Sequence, residues 1–153
     1  MHTELEKITN FLIINEYLAT SGMPSTAQLL DIVDAGYQVV INLSLRESPG
    51  AIENEGQILK DANINYVHIP VIWESPTLEN IKQFFQTMDK YQAKKVFVHC
   101  VLNMRVSIFV YLYRILQLNL PPEKVYPQVL KIWQPDQVWN NFIQLAIAAH
   151  TRK

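Results

Sequence analysis

The chain has 153 residues, a hydrophobic fraction of 49% and a formal net charge of −1 at pH 7. Those values fit a globular protein, expected as a single domain over 1–153 with enough chain to bury a proper core, and the lack of a basic block excludes the footprint of a protein that binds nucleic acid or an anionic membrane. The first residues are charged and lack the apolar centre of a secretory signal, and no apolar run is long enough to cross a bilayer, so the cytoplasm is the expected compartment.

Residues 12–19 alternate loosely between apolar and polar and run into Ser21-Gly22-Met23-Pro24, which predicts an edge strand ending in a turn. Ser25 is the N-cap of a predicted helix over 26–35 that turns Leu29, Leu30, Ile32 and Val33 inward, with Gly36 where a C-terminal glycine cap belongs. Tyr37-Gln38-Val39-Val40-Ile41-Asn42-Leu43 is a strand expected in the middle of the sheet. A polar, turn-rich stretch over 45–55 precedes a helix predicted over 52–62 from Ile52, Ile58 and Leu59. Residues 64–69 form a third strand, closed by Pro70, and Thr77 caps a helix over 78–91 with Ile81, Phe84, Phe85 and Met88 on one face.

Val96-Phe97-Val98 is an apolar, β-branched-rich run of the kind covered on both faces of a sheet. From Val106 onward, Val106, Phe109, Val110, Tyr113 and Leu116 recur at helical spacing. Pro121-Pro122 then breaks the chain, and Pro122 opens a helix through Val125, Val129 and Ile132. A last helix over 136–149 packs Val138, Trp139, Phe142, Ile143 and Leu145, with the negative charge of Asp136 in its first turn. Strands alternating with helices through short connections define an α/β fold, a three-layer α/β/α domain with a largely parallel sheet of four or five strands.

Cys100 is the only cysteine, which excludes an internal disulfide and a two-cysteine redox pair. The histidines His2, His68, His99 and His150 are scattered, so neither a metal site nor a cofactor is expected. Cys100 ends a strand just before a helix, where unpaired backbone N–H groups attract anions and favour a thiolate. A cysteine at such a turn, preceded by a histidine and followed by an arginine and a serine, suits phosphate-monoester chemistry: the thiolate attacks phosphorus, loop amides and a guanidinium hold the oxygens, and a nearby acid protonates the leaving group.

At His99-Cys100-Val101-Leu102-Asn103-Met104-Arg105-Val106-Ser107 the sequence resembles the cysteine-dependent tyrosine and dual-specificity phosphatase superfamily, whose signature runs His-Cys, two residues, Gly, two residues, Arg, then Ser or Thr. His99, Cys100 and Ser107 match. Asn103 stands at the glycine, and asparagine is the best replacement where φ is positive. Val106 stands at the arginine, and Arg105 comes one place early, so its guanidinium either reaches phosphate by another path or faces away and binds something else. Together with Ala19-Thr20-Ser21-Gly22-Met23-Pro24, Val39-Val40-Ile41-Asn42-Leu43 and Ile69-Pro70-Val71-Ile72-Trp73-Glu74-Ser75-Pro76, the stretch is similar to a bacterial group of small tyrosine-phosphatase-like proteins that shares the displaced arginine. An alignment with four residues between Cys100 and Arg105 resembles the rhodanese sulfurtransferases instead.

The phosphatase resemblance implies Cys100 as nucleophile, passing through a phosphocysteine. It implies phosphate binding by the amides of Val101, Leu102, Asn103, Met104, Arg105 and Val106 with the Arg105 side chain. Ser107 would hydrogen-bond the thiolate as it leaves, and His99 would support the loop and help keep the thiolate charged. The general acid is expected on the loop after the preceding strand, where Glu74 is the only carboxylate, with Asp136 a second candidate. The expected partner is a phosphorylated small molecule or phosphoprotein. An anion-binding protein without turnover and a sulfur carrier are the alternatives.

Overall fold

A computed structural model describes residues 4–151, so His2 lies outside the described residues. The sheet begins with β1 (Leu12–Asn15) and β2 (Leu18–Ser21), paired antiparallel with Leu12 opposite Thr20 and Ile13 opposite Ala19. One strand was expected over 12–19; two occur because Asn15 Oδ1 accepts from the amide of Tyr17 at 2.8 Å, an Asx turn that reverses the chain. The hairpin puts β2, rather than β1, against the rest of the sheet.

The helix α1 (Thr26–Asp34) starts on a capping box: Ser25 Oγ accepts from the Gln28 amide at 3.1 Å, and Gln28 Oε1 accepts from the Ser25 amide at 2.9 Å. Gly36, at φ +94°, supplies the left-handed residue that ends it. There follow β3 (Val39–Asn42), α2 (Glu55–Asp61), β4 (Asn65–His68), α3 (Leu78–Lys90) and β5 (Val96–His99). The helix predicted over 52–62 begins three residues late, because Ile52 packs its side chain from a turn and its carbonyl takes the Glu55 amide at 3.3 Å. The chain ends with α4 (Met104–Leu112), continued by a π turn at Tyr113–Gln117, then α5 (Pro122–Leu130) and α6 (Gln137–Thr151).

Strand order is β1-β2-β5-β3-β4, with every pair parallel except β1 with β2. β5 is therefore central, and the four parallel strands end at one edge. Period-two alternation divides the core. Val39, Ile41, Val96 and Val98 pack against α3, α4, α5 and α6, whereas Val40 and Phe97 pack on the other face against α1, α2 and the short 3₁₀ turn Leu5–Lys7. This is the expected three-layer α/β/α arrangement. Because β2 leads past β5 to β3 and β4 leads back to β5, the carboxyl edge around β5 is where the strand order reverses, the usual place for a ligand crevice. Among the described residues no helix is long and apolar enough to cross a membrane.

Candidate active site

Immediately after β5 the chain turns its carbonyl groups backward. The Val101 carbonyl accepts from the Met23 amide at 2.9 Å, and the Leu102 carbonyl from Asn10 Nδ2 at 2.9 Å. The Asn103 carbonyl takes the Ser107 amide at 2.9 Å, and the Met104 carbonyl takes the Ser107 hydroxyl at 2.6 Å. The amides over 101–106 donate to no backbone or side-chain group among the described residues. A loop with its acceptors spent and its donors free, at the positive end of a helix, is built to hold an anion.

Two backbone details hold that shape. Asn103 is left-handed at φ 66° and ψ 3°, as expected for the residue at the glycine position, and its Nδ2 donates to the Asn10 carbonyl at 2.8 Å and Thr20 Oγ1 at 3.0 Å. Asn10 and Asn103 thus clamp each other across the loop. Gly22 lies so close that a Cβ there would stand 2.4 Å from the Val101 carbonyl oxygen.

Cys100, 1% exposed, lines an open cleft of about 410 Å³ together with Val101, Leu102, Met104 and Arg105. Facing them are Trp73 and Glu74 from the loop after β4, and Leu45, Glu47, Ser48 and Pro49 from the loop after β3. α4 begins at Met104, two residues before the helix predicted from Val106, so Arg105 is in its first turn. The displaced arginine is 7% exposed and donates from Nη1 to the Val71 carbonyl at 2.8 Å, which anchors it while it stays in the cleft wall. Glu74 is exposed at the mouth.

The structure does not bring every expected site residue into the cleft. The Ser107 hydroxyl accepts from Trp133 Nε1 at 2.9 Å while donating to Met104, and Ser107, like Asn103, lines a small void on the other side of the loop. Val106 is core. Asp136 accepts the Trp139 amide through Oδ1 at 3.0 Å and caps α6 from the residue before it. His68 Nε2 lies 2.7 Å from the Ser44 carbonyl oxygen. The tryptophans pack together, with Trp73 5.2 Å from Trp133 and 5.5 Å from Trp139 between ring centres, and Trp139 Nε1 donates to the Trp73 carbonyl at 3.1 Å.

Sequence reasoning missed Glu55. Buried to 3% exposure, its Oε2 lies 2.6 Å from Nε2 of His99, which is itself 0% exposed. Asn42 Nδ2 approaches Glu55 Oε1 at 3.4 Å and donates to the Tyr66 hydroxyl at 3.1 Å, while Asn42 Oδ1 accepts from the Ser44 amide and hydroxyl. Burial, then the nearby Glu55 charge, push the Tyr66 phenol up to about 12 against the opposing effects of the Asn42 hydrogen bond and Arg46. A glutamate opening a short helix reads as an ordinary first-turn acid, so nothing local marks it as buried.

A lone cysteine heading an amide-rich loop, at the carboxyl edge of a parallel sheet and beside a buried arginine, places the chain in the cysteine-dependent dual-specificity phosphatase-like superfamily. Residues 15–125 match the family described as "DSP-PTPase phosphatase fused to NAD+ Kinase", and the chain belongs to that family. It is similar to the crystal structure of a "Putative phosphatase (DUF442)" from Shewanella putrefaciens CN-32, with 31% identity, 98% of this chain and 99% of that one covered, and a TM-score of 0.88. A "Beta-lactamase hydrolase-like protein" of Xylella fastidiosa (strain Temecula1) is 29% identical over 115 residues, 73% of this chain and 26% of that protein, so the chain spans about a quarter of that relative's length. The structure of PTPMT1 in complex with PI(5)P shares the fold at a TM-score of 0.79, with 20% identity and 93% and 97% of the two chains covered. The sulfurtransferase alternative is not favoured.

Proposed function

We propose that the chain hydrolyses a phosphate monoester with Cys100 as nucleophile. The Cys100 thiolate attacks phosphorus in line, an S–P bond forms as the P–O bond to the leaving group breaks, and Glu74 gives that oxygen its proton. Glu74, now a carboxylate, takes a proton from the water that cleaves the phosphocysteine. The amides over 101–106 and the Arg105 guanidinium hold the phosphoryl oxygens through both steps. Arg105 does so from its displaced position because the Val71 carbonyl accepts from Nη1 and fixes the guanidinium in the cleft wall. Ser107 acts by holding the first turn of α4 and the loop in shape rather than by touching phosphorus.

The observation that carries this reading is the loop itself: free amides over 101–106 around Cys100, in a cleft that also presents Arg105 and Glu74. The cleft also favours a substrate class. Arg105 is the only cation among its lining residues, Glu47 and Glu74 are acids, and the rest is mostly apolar. Such walls suit one phosphate on an uncharged small molecule or on a protein side chain, and repel a polyphosphorylated ligand.

Hydrolysis of a panel of aryl phosphates tests the mechanism. Cys100→Ser should abolish turnover, and Arg105→Ala should lower kcat/KM by roughly a hundredfold or more, the size of effect seen when a charge-stabilising donor is removed. Glu74→Gln should slow esters of basic leaving groups more than those of good ones, because only the former need the proton. Turnover that survives in Cys100→Ser overturns the proposal, and a wild type that binds phosphate without turnover leaves an anion-binding role in its place.

A further inference from the structure

Behind the nucleophile, two ionisable side chains that the phosphoryl-transfer steps do not use face each other in the interior. His99 Nε2 lies 2.6 Å from Glu55 Oε2, at exposures of 0% and 3%. An unpartnered buried carboxylate is strongly unfavourable, so Glu55 is held inside by its partners rather than by any preference of a helix start for acids. The other ring nitrogen, Nδ1, lies 3.5 Å from the Cys100 carbonyl oxygen. Both nitrogens of His99 therefore face oxygen. With Glu55 ionised, acceptors face the ring on two sides and call for an N–H on each, which only the imidazolium provides. Against an ionised Glu55 the neutral tautomers leave a lone pair facing an oxygen on one side or the other, whereas a protonated Glu55 beside a neutral ring leaves one ring nitrogen bare, which the nitrogen NMR below detects.

Glu55 is held in turn by the Asn42 amide at 3.4 Å, and Asn42 by Ser44 and Tyr66. The contacts run from the end of β3, through the first residue of α2, to the end of β5 and the residue that carries the thiol. The other ionisable groups around the pair are the Tyr66 hydroxyl and His68 on β4, the exposed Arg46 and Glu53, and Cys100 itself.

We infer that Glu55 is a positioning residue for Cys100: its carboxylate holds His99 doubly protonated, and the imidazolium fixes the Cys100 carbonyl and, through it, the direction of the thiol and the amides that follow. Its meaning for turnover rests on the proposed function, whereas the geometry and the alkylation and NMR readouts below do not. The ring turns Nδ1 toward the Cys100 backbone and Nε2 toward Glu55, so the carboxylate meets the ring on the nitrogen away from Cys100, and losing the ring proton disfavours the thiolate.

Because Cys100 is the only cysteine, iodoacetamide alkylation reads it directly. Glu55→Gln keeps the size of the side chain and an acceptor for Nε2–H but removes the charge. It should slow alkylation near neutral pH by about tenfold and move the alkylation profile to higher pH, and Glu55→Asp should recover part of the shift. The kcat for an aryl phosphate should fall by roughly ten- to a hundredfold with KM little changed, the scale expected when reacting groups are misplaced. Nitrogen NMR of the unmodified protein should find both ring nitrogens of His99 protonated, a reading that holds even if Glu55→Gln does not fold. One bare ring nitrogen, or a folded Glu55→Gln with an unchanged alkylation profile, overturns the inference. A shifted profile in a protein without phosphatase activity upholds the positioning role and removes the hydrolase reading.

Discussion

Asn103 occupies a conformation that most side chains avoid, and it also ties the loop to the segment before β1 through Asn10 and to β2 through Thr20. Two substitutions separate these contributions. Asn103→Gly keeps the left-handed backbone and loses the bonds, so its cost in urea denaturation should be about 1 kcal/mol. Asn103→Ala loses the bonds and adds the left-handed penalty of a Cβ, so it should cost about 2–3 kcal/mol. Both remove Asn103 Oδ1, a buried oxygen without a partner among the described residues, which softens each loss equally and leaves the difference intact. Equal costs would mean that the backbone conformation contributes nothing. At Gly22 the constraint is contact: Gly22→Ala drives a methyl into the Val101 carbonyl and should reduce aryl phosphate turnover by displacing the loop. The conformation of Asn103 was legible in the sequence because residue type decides it. The burial of Glu55 was not, because a carboxylate turns inward only when partners from β3 and β5 await it, and these stand 13 and 44 residues away.

At the scale of elements, the features with local causes were readable in the sequence. Ser25 and Thr77 start α1 and α3 through capping boxes closed by Gln28 and Asn80, Pro122 opens α5, and the run through Val96, Phe97 and Val98 is β5. The boundaries that moved depend on contacts between elements or on a single side chain. The Asn15 turn splits one expected strand into a hairpin, and the Ser107 bonds to Asn103 and Met104 draw the start of α4 back to Met104. That second shift decides the site, because it carries Arg105 onto the helix and leaves the guanidinium between the Val71 carbonyl and the cleft. The cap of α3 offers a control remote from the loop. Thr77→Ala removes the acceptor for the Asn80 amide, 3.0 Å away, and should cost about 1 kcal/mol of stability with kcat unchanged. A fall in turnover without a fall in stability would instead make α3 part of the functional machinery.

For the molecule as a whole, four tyrosines set the alkaline limit of stability. Burial raises Tyr37, Tyr66, Tyr111 and Tyr113 above the ordinary value of 10, with the Tyr66 phenol reaching about 12. In the unfolded chain these phenols ionise near 10, so above that pH the unfolded state holds fewer protons than the folded one, and stability declines as pH rises. Their contribution is complete below 10 and is lost as pH climbs through the folded values. The urea midpoint should therefore hold steady to about 10 and then fall, and Tyr66→Phe should fall less steeply from its own plateau. Tyr66 also reports on the site. Part of its upward shift comes from the Glu55 charge, so Glu55→Gln should bring its phenolate absorbance step, isolated by difference against Tyr66→Phe, to lower pH while the step due to burial persists. A step that stays in place would show that no charge sits on Glu55 near Tyr66, and the buried pair behind Cys100 would then have to be a neutral one.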